Sequence, residues 1–378
     1  MADAAAISPP RISGFNYVQP LGSGGFAHVY QYEQNMPRRM VAVKVLTGSE
    51  RAGAIVASNE ERSAFEAEAD AMARLSSHPS IVSIFAASIS SDGHPYIAME
   101  FCPESFRHRS NGNPIPLDEV LDAGVRLAGA LETAHRSGIL HRDIKPSNVL
   151  LATTGRPVLA DFGIVSLRGQ MRGAGTSEAM SIPWAAPEVI ERTTAGTPAS
   201  EVWSLAATLY TFAAGRSPFS RESGTKDTRK AMSARIVRAA YTPVPGAQGY
   251  EAFDGVMAAA MTKQPERRFA SMQQFGEALQ QLQRLYGYDV TPLDVVRQEW
   301  MPQTAPAAGV RGPVVSSVRP EGRASRRADL ERDRAAAAGP RSARGERGTV
   351  LRPVLIGAGS AVGVLLVAVA LFALVGGR

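Results

Sequence analysis

Two short motifs with acidic and amide side chains constrain this chain more than any other feature. The first runs His141-Arg142-Asp143-Ile144-Lys145-Pro146-Ser147-Asn148, and the second, Asp161-Phe162-Gly163, begins 18 residues after Asp143. Between them, short strands are predicted around residues 149–151 and 158–160, on either side of a Thr154-Gly155 turn. Carboxylate and amide oxygens are ligands that Mg²⁺ accepts in proteins. The pair therefore points to a site for a hard divalent cation.

A glycine-rich segment lies near the N-terminus, with the sequence Leu21-Gly22-Ser23-Gly24-Gly25-Phe26-Ala27-His28-Val29. It has glycine at two positions of a G-x-G-x-x-G-x-V loop and Ala27 at the third. The segment joins two predicted strands, as a hairpin that covers phosphates does, whereas a dinucleotide-binding fingerprint needs a helix immediately after it. A Rossmann fold is therefore disfavoured.

Lys44 ends the apolar run Val41-Ala42-Val43, which predicts a buried strand. An unpaired ammonium there would be costly, so a carboxylate partner is expected. Glu68 is the candidate, because residues 59–77 have helical spacing and follow the first three strands. For either residue taken alone, a solvated charge at the edge of a lobe is the competing interpretation.

Together, these segments resemble the catalytic and metal-binding motifs of eukaryotic-like (Hanks-type) bacterial serine/threonine protein kinases, from about Phe15 to Leu285. The resemblance implies an α+β, bilobal protein kinase fold, with a five-stranded N-lobe that carries one main helix and a mostly helical C-lobe. The sequence pattern agrees with this expectation. Strand patterns cover residues 15–46, 81–89 and 96–101, and helical patterns begin at Leu117 and recur over about 199–214, 233–240, 251–261 and 272–285.

The resemblance also implies a role for each matching residue in ATP-dependent phosphorylation of protein Ser and Thr. Lys44, held by Glu68, would bind the α- and β-phosphates, and Asn148 and Asp161 would hold Mg²⁺, with Mn²⁺ as an alternative. Asp143 would accept the proton of the substrate hydroxyl, and Lys145 would steady the γ-phosphate. The residues expected around the nucleotide, with Met99 as gatekeeper and the hinge at 100–102, are Leu21, Gly22, Ser23, Gly24, Gly25, Val29, Ala42, Met99, Glu100, Cys102 and Leu150.

The segment after the second motif matches the family's activation segment. It ends at Ala186-Pro187-Glu188, and Arg268 matches the arginine that pairs with that glutamate. Thr176 and then Ser177 are the expected autophosphorylation sites, because Arg142 beside the catalytic aspartate could dock a phosphate. Ser181 is expected to play a structural role in the substrate pocket.

Four positions depart from the family pattern: Ala27, Met180, Glu201 and Ala206. None of them is an expected phosphate, metal or proton-transfer residue. Glu201 raises the most doubt, because it replaces an aspartate and one extra methylene must still reach the backbone amides of the catalytic loop.

The C-terminal part of the chain has a different composition. Residues 354–377 contain 24 consecutive residues without a charge, and about 20 such residues in a helix cross the hydrocarbon core of a bilayer. The predicted organisation is an N-terminal tail (1–12), a protein kinase domain (13–287), a disordered Pro/Ala/Arg-rich linker (288–352), one transmembrane helix (353–376) and a two-residue extracytoplasmic tail (377–378).

The net charge of +6 sits mainly in the linker. Residues 302–352 carry 11 Arg and 5 acidic residues, which leaves residues 1–301 with a net charge of −1. A nucleic-acid partner is therefore disfavoured. Because Arg344, Arg347 and Arg352 precede the span, the positive-inside rule predicts a single-pass cell-membrane protein with its kinase domain in the cytoplasm.

Two questions of assembly and activity stay open at this level. Gly359 and Gly363 form a G-x-x-x-G pattern that can bring two spans together, although small residues in a lipid-facing helix are the simpler interpretation. The resemblance implies homodimers through the kinase domain as a second route. A weakly active or inactive kinase acting as a membrane-tethered scaffold is the alternative function, and a small-molecule phosphotransferase is disfavoured by the Ala186-Pro187-Glu188 segment.

Overall fold

Residues 15–100, here called the first half of the described fold, carry an antiparallel sheet. The computed structural model describes residues 9–24, 27–46, 50–51, 54–55, 69–70, 72–110, 112–162, 181–221, 227–246 and 248–296. The strands of this half are β1 (Phe15–Gly24), β2 (Ala27–Asn35), β3 (Arg38–Leu46), β4 (Glu50–Arg51), β5 (Ala54–Ile55), β6 (Ile84–Ile89) and β7 (Pro95–Glu100). Five of them form one sheet in the order β1-β2-β3-β7-β6, and β4 and β5 form a separate pair. The predicted five-stranded lobe is confirmed.

The centre of this sheet is apolar because β3 places three valines at alternate positions, on one face of the sheet. Val41, Val43 and Val45 are buried together with Tyr30 and Tyr32 of β2. A branched side chain packs well on a pleated surface, which favours the strand over a helix here.

The helix predicted over residues 59–77 is described only in part. Residues 69–70 and 72–75 are helical, and Met72 and Leu75 are buried in the main core. Glu68 lies outside the described residues.

Residues 104–296, here called the second half of the described fold, are mostly helical, as predicted. Its elements are β8 (Glu104–Ser105), α1 (Phe106–Ser110), α2 (Leu117–Arg136), β9 (Val149–Leu151), β10 (Pro157–Leu159), α3 (Pro187–Ile190), α4 (Pro198–Ala214), α5 (Arg229–Val237), α6 (Glu251–Ala260) and α7 (Met272–Leu285). Short 3₁₀ turns occupy Pro146–Asn148, Ile182–Trp184 and Pro265–Arg267. The strands β10, β9 and β8 form a small antiparallel sheet at the junction with the first half.

The helix α5 begins four residues before the predicted start at 233. The hydroxyl of Thr228 caps it by accepting a hydrogen bond from the amide of Ala231, which fixes the start one turn earlier than the apolar spacing suggests. The chain leaves the helix before Ala239, whose φ of 49° is left-handed.

The predicted domain boundaries were too narrow at both ends. Ile12 was assigned to an N-terminal tail, but it is buried in the sheet core, and the hydroxyl of Tyr32 donates to the carbonyl of Pro10 at 2.7 Å. Residues 288–296 were assigned to the disordered linker. They pack against the second half of the protein instead, where Thr291 is buried and Leu293 contacts the main core.

The predicted membrane span and the rest of the linker, residues 297–378, lie outside the described residues. Among the residues that the structure does describe, no helix combines the length and the apolar character needed to cross a bilayer.

Candidate active site

The loop that carries Asp143 is fixed by hydrogen bonds from its own backbone. Arg142 adopts a left-handed φ of 64°, a conformation that a non-glycine residue keeps only when its surroundings hold it. Its amide donates to Oε1 of Glu201 at 2.6 Å. The ring of His141 is fully buried, with Nε2 2.9 Å from the carbonyl of Ala160. Burial lowers the pKa of His141, and a neutral ring with its proton on Nε2 fits this contact.

Asp143 lies in a polar cluster with three other side chains. Its Oδ2 is 2.7 Å from Nζ of Lys145, and its Oδ1 accepts a hydrogen bond from Oγ of Ser181 at 2.8 Å. Lys145 also donates to Ser181 at 3.0 Å. The side-chain amide of Asn148 donates to the backbone carbonyl of Asp143 at 2.8 Å. The predicted proton acceptor is thus held in place by the predicted γ-phosphate lysine.

Lys44 and Asp161 meet across the junction between the two halves. Nζ of Lys44 is 2.8 Å from Oδ1 of Asp161, and the lysine side chain is only 10% exposed whereas that of the aspartate is 45% exposed. Desolvation works against the charged carboxylate, but the charge and hydrogen bond of Lys44 outweigh it and hold the pKa of Asp161 below its usual value. Asp161 therefore presents an ionised, accessible carboxylate.

The donor set fits a Mg²⁺ ion that shares its coordination with a phosphate. The amide of Ala160 donates to the carbonyl of Asn148 at 2.9 Å, which ties the backbones of the two predicted ligand segments together. Within the described part of the chain, no cluster of three or more His, Cys, Asp or Glu could hold a metal. Mg²⁺ commonly binds through one or two protein oxygens and takes its other ligands from water and substrate phosphates. Asn148 and Asp161 suit that mode.

The predicted nucleotide-contacting apolar residues form one cluster. Ala42 and Met99 are buried in it, and Val29, Cys102 and Leu150 pack against it from partly exposed positions. Ala160, directly before Asp161, belongs to the same cluster. An apolar slot beside an ionic centre is a suitable surface for a flat heterocycle with attached phosphates.

The glycine-rich segment forms the predicted hairpin. Gly22 pairs with Val29, Ser23 with His28, and Gly24 with Ala27, and Leu21 at its entrance is 40% exposed. Glu100 ends β7 at the predicted hinge, where its amide donates to the carbonyl of Ser83 at 2.9 Å.

Some predicted residues cannot be placed. Gly25, Glu68, Gly163, Met180 and the expected autophosphorylation sites Thr176 and Ser177 lie outside the described residues, so the roles given to them stay predictions.

The predicted pair between Glu188 and Arg268 is formed. The two terminal guanidinium nitrogens of Arg268, Nη1 and Nη2, donate to the two carboxylate oxygens of Glu188 at 2.7 and 2.8 Å. The arginine side chain is fully buried. Arg268 also donates to the carbonyls of Thr262 and Ala199. This bidentate ion pair connects the end of the activation segment to the helical core.

Glu201 reaches the catalytic loop despite its extra methylene. It lies in the first turn of α4, whose start is fixed by reciprocal hydrogen bonds between Thr197 and Ser200. Its second oxygen is 2.6 Å from Nε2 of His135 on α2. Neither the contact of Glu201 with His135 nor the contacts of Ser181 with Asp143 and Lys145 could be predicted from the sequence. Both contacts depend on distant segments, and no local pattern signals them.

Comparisons with known proteins agree with this geometry. Residues 15–280 match the protein kinase domain family. The chain is 39% identical over 283 residues to the serine/threonine-protein kinase PknK of Mycobacterium bovis, covering 74% of this chain and 24% of that protein. It is 33% identical over 281 residues to PknF of Mycobacterium tuberculosis, covering 71% of this chain and 56% of that protein. A probable serine/threonine-protein kinase PknB of Lactococcus lactis is 32% identical over 213 residues, covering 55% of this chain and 33% of that protein.

The chain thus spans about a quarter of PknK and about half of PknF. The shared part coincides with the two-lobed region that brings Lys44, Asp143 and Asp161 together, since all three lie within the matched residues 15–280. The chain belongs to the protein kinase domain family.

Proposed function

We propose that this protein is an ATP-dependent serine/threonine protein kinase that is anchored to a membrane by one C-terminal helix. The observation that carries the proposal is the convergence of a cation, an ionised carboxylate and a second, hydrogen-bonded carboxylate at one junction. These are Lys44, Asp161 and Asp143, from three separate segments of the chain. Phosphoryl transfer asks a protein mainly to position groups and to neutralise charge, which this set can do.

Each residue of the site then has a task. Lys44 binds the α- and β-phosphates, and Asn148 and Asp161 hold the metal, which when bound neutralises charge on the phosphates. Asp143 orients the substrate hydroxyl and accepts its proton. Lys145, 2.7 Å from Asp143, stabilises the transferring group. The lysine two residues after the aspartate is the family pattern for Ser and Thr substrates.

Labelled ATP tests this activity directly. The full-length chain, purified in mild detergent and incubated with radiolabelled ATP and Mg²⁺, is expected to phosphorylate itself and an added protein substrate on Ser and Thr. Asp161→Ala removes a metal ligand and should abolish both signals, and mapping the label should identify Thr176 or Ser177. Equal label in the wild type and in Asp161→Ala would contradict the kinase proposal and would support the tethered scaffold instead.

The membrane anchor rests on residues 354–377, which carry no charge. The arginines at 344, 347 and 352 precede this segment, and positive charge close to a span favours the cytoplasmic side. The proposal therefore puts the kinase domain in the cytoplasm, where ATP is available.

Protease protection tests the orientation. In intact cells expressing the full-length chain, protease added outside should leave the kinase domain undigested, and permeabilised cells should lose it. The chain should also stay in the membrane fraction after a carbonate wash, and a variant with Leu365→Arg and Leu366→Arg should leave it, because each arginine at the centre of a span costs about 2.5–3.5 kcal/mol. Digestion of the kinase domain in intact cells would reverse the orientation.

A further inference from the structure

The segment 291–296, called the strap below, is bound along the helical lobe by specific contacts. Thr291 and Gln283 exchange two hydrogen bonds, at 2.8 and 3.0 Å, and the hydroxyl of Thr291 also donates to Asp122 on α2 at 2.8 Å. At the other end of the strap, the amide of Val296 donates to the hydroxyl of Thr133 at 3.1 Å. The strap lies beyond residues 15–280, which match the family model.

Two glycines make room for the strap. A Cβ on Gly129 of α2 would lie 2.2 Å from the carbonyl oxygen of Asp294, and a Cβ on Gly276 of α7 would lie 2.7 Å from a methyl of Leu293. Glycine inside a helix costs stability relative to alanine. Its use at both positions is explained by the close approach of the strap.

Asp294 connects the strap to the turn that follows the N-lobe helix. Its carbonyl is 2.9 Å from Nε2 of His78, and its carboxylate is 2.6 Å from the guanidinium of Arg156. Arg156 also donates to the hydroxyl of Ser80 at 3.1 Å, and the amide of Ser80 donates to Nδ1 of His78 at 3.0 Å. His78 and Ser80 are 1% and 0% exposed, so their contacts are made in the interior, whereas the pair between Asp294 and Arg156 is partly exposed.

The turn that contains Ser80 is hydrogen-bonded to the end of β10, the strand that leads to Asp161. The amide of Leu159 donates to the carbonyl of Ser80 at 2.9 Å, and the amide of Val82 donates to the carbonyl of Leu159 at 3.0 Å. Leu159 is two residues before Asp161. An unbroken set of hydrogen bonds therefore runs from Asp294 through Ser80 to the segment that carries the proposed metal ligand.

We infer that the strap is a positioning element for phosphoryl transfer, with Asp294 as the residue that sets the place of Ser80 and, through it, of the strand ending at Asp161. The expected effect of the strap on rate rests on the proposed kinase function, whereas its expected effect on structure rests on the geometry alone. The hydrogen bonds of Asp294 go to His78 and Arg156 and not to Lys44, Asp143 or Asp161, so its influence is indirect.

Gly129→Ala is the sharpest test, because the added methyl would displace the carbonyl of Asp294 from His78. Gly255→Ala is its matched control: Gly255 also lies within a helix, α6, but a Cβ there would meet nothing within 4 Å. In the full-length chain, Gly129→Ala is expected to lower kcat about 10- to 100-fold, with a smaller change in KM for ATP. Hydrogen exchange should show lost protection at the amides of Val82 and Leu159.

Asp294→Ala is the second variant and leaves the packing of α2 untouched. Because its pair with Arg156 is partly exposed, we expect a smaller fall in kcat, about 2- to 5-fold, with faster exchange at Leu159. If Gly129→Ala fails to fold, Asp294→Ala decides.

Wild-type kcat and wild-type exchange at Leu159 in the folded variants would overturn the inference. A lower melting temperature with unchanged kcat and exchange at a temperature well below it would mean that the strap only adds stability, and would overturn the inference as well. If the wild type proves inactive, the proposed function fails, while the exchange measurement still tests the positioning separately.

Discussion

Replacing Asp143 with Asn is expected to lower kcat about 10²- to 10⁴-fold, the range found for removal of a general acid or base. The substitution keeps the size of the side chain and can keep the hydrogen bond from Ser181, now 2.8 Å from Oδ1. It removes the negative charge that faces Lys145 and the ability to accept a proton at neutral pH. The chemical step should therefore fail while the site stays assembled.

Nucleotide binding separates this effect from a general loss of structure. Asp143 contacts Lys145, Ser181 and Asn148. None of these three residues belongs to the apolar cluster around Ala42 and Met99. The affinity for ATP with Mg²⁺, measured by calorimetry on the full-length chain, should change less than threefold, which is about 0.6 kcal/mol.

The control for this experiment is Asp289→Asn. It makes the same chemical change at an exposed site outside the polar cluster around Asp143. Its kcat should equal that of the wild type. An Asp143→Asn variant that kept more than a tenth of the wild-type kcat would mean that Asp143 is not the proton acceptor.

Much of the fold could be predicted because its elements are marked locally. The β-branched run before Lys44 and the apolar spacing of α7, observed at Met272–Leu285, each carry their own signal over one element. The site was predictable for a related reason. The residues that meet at the junction come from short motifs whose order and spacing are recognisable without knowledge of the packing.

The strap could not be predicted because nothing in its sequence repeats at a helical or strand period. The strap, residues 291–296, contains Pro292 near its start, and a proline interrupts both helical and strand patterns. What orders this segment is a set of single contacts to distant groups, such as Gln283 and His78. The close approach of the strap to Gly129 and Gly276 is visible only once α2 and α7 are packed.

Glu201 shows how the packed structure changes the meaning of a departure from the family. The residue is 2% exposed, and its carboxylate has a partner at each oxygen, the amide of Arg142 and the ring of His135. The extra methylene is therefore used to bridge α2 and the catalytic loop at the same time. The reason for doubting the activity of this chain is weaker than the sequence alone suggested.

Glu201→Ala is accordingly expected to cause the largest loss of stability among the variants considered. It removes the partner of the His135 ring, whose side chain is 8% exposed, and the partner of the partly buried Arg142 amide. At about 1–3 kcal/mol for each lost partner, the free energy of unfolding should fall by about 2–6 kcal/mol. Arg142 would also lose the hydrogen bond that holds its left-handed backbone, next to Asp143. A shift of about 1 Å in a catalytic group can cost about 100-fold in rate, so kcat should fall together with stability.

Two further variants separate the charge of Glu201 from its length. Glu201→Gln keeps the length and an acceptor for Arg142, and should lose less stability than Glu201→Ala. Glu201→Asp restores the family residue but is one methylene too short to reach both partners, so it should fall between them.

Denaturant unfolding of the full-length chain measures the loss of stability. The fall in activity is measured as kcat at a temperature where every variant is folded. Glu266→Ala, which removes an exposed glutamate from the short turn Pro265–Arg267, should stay within about 0.5 kcal/mol of the wild type. If Glu201→Asp matched the wild type in both measurements, the bridge to His135 would contribute nothing. The extra methylene would then be a neutral substitution and not a second way of supporting the catalytic loop.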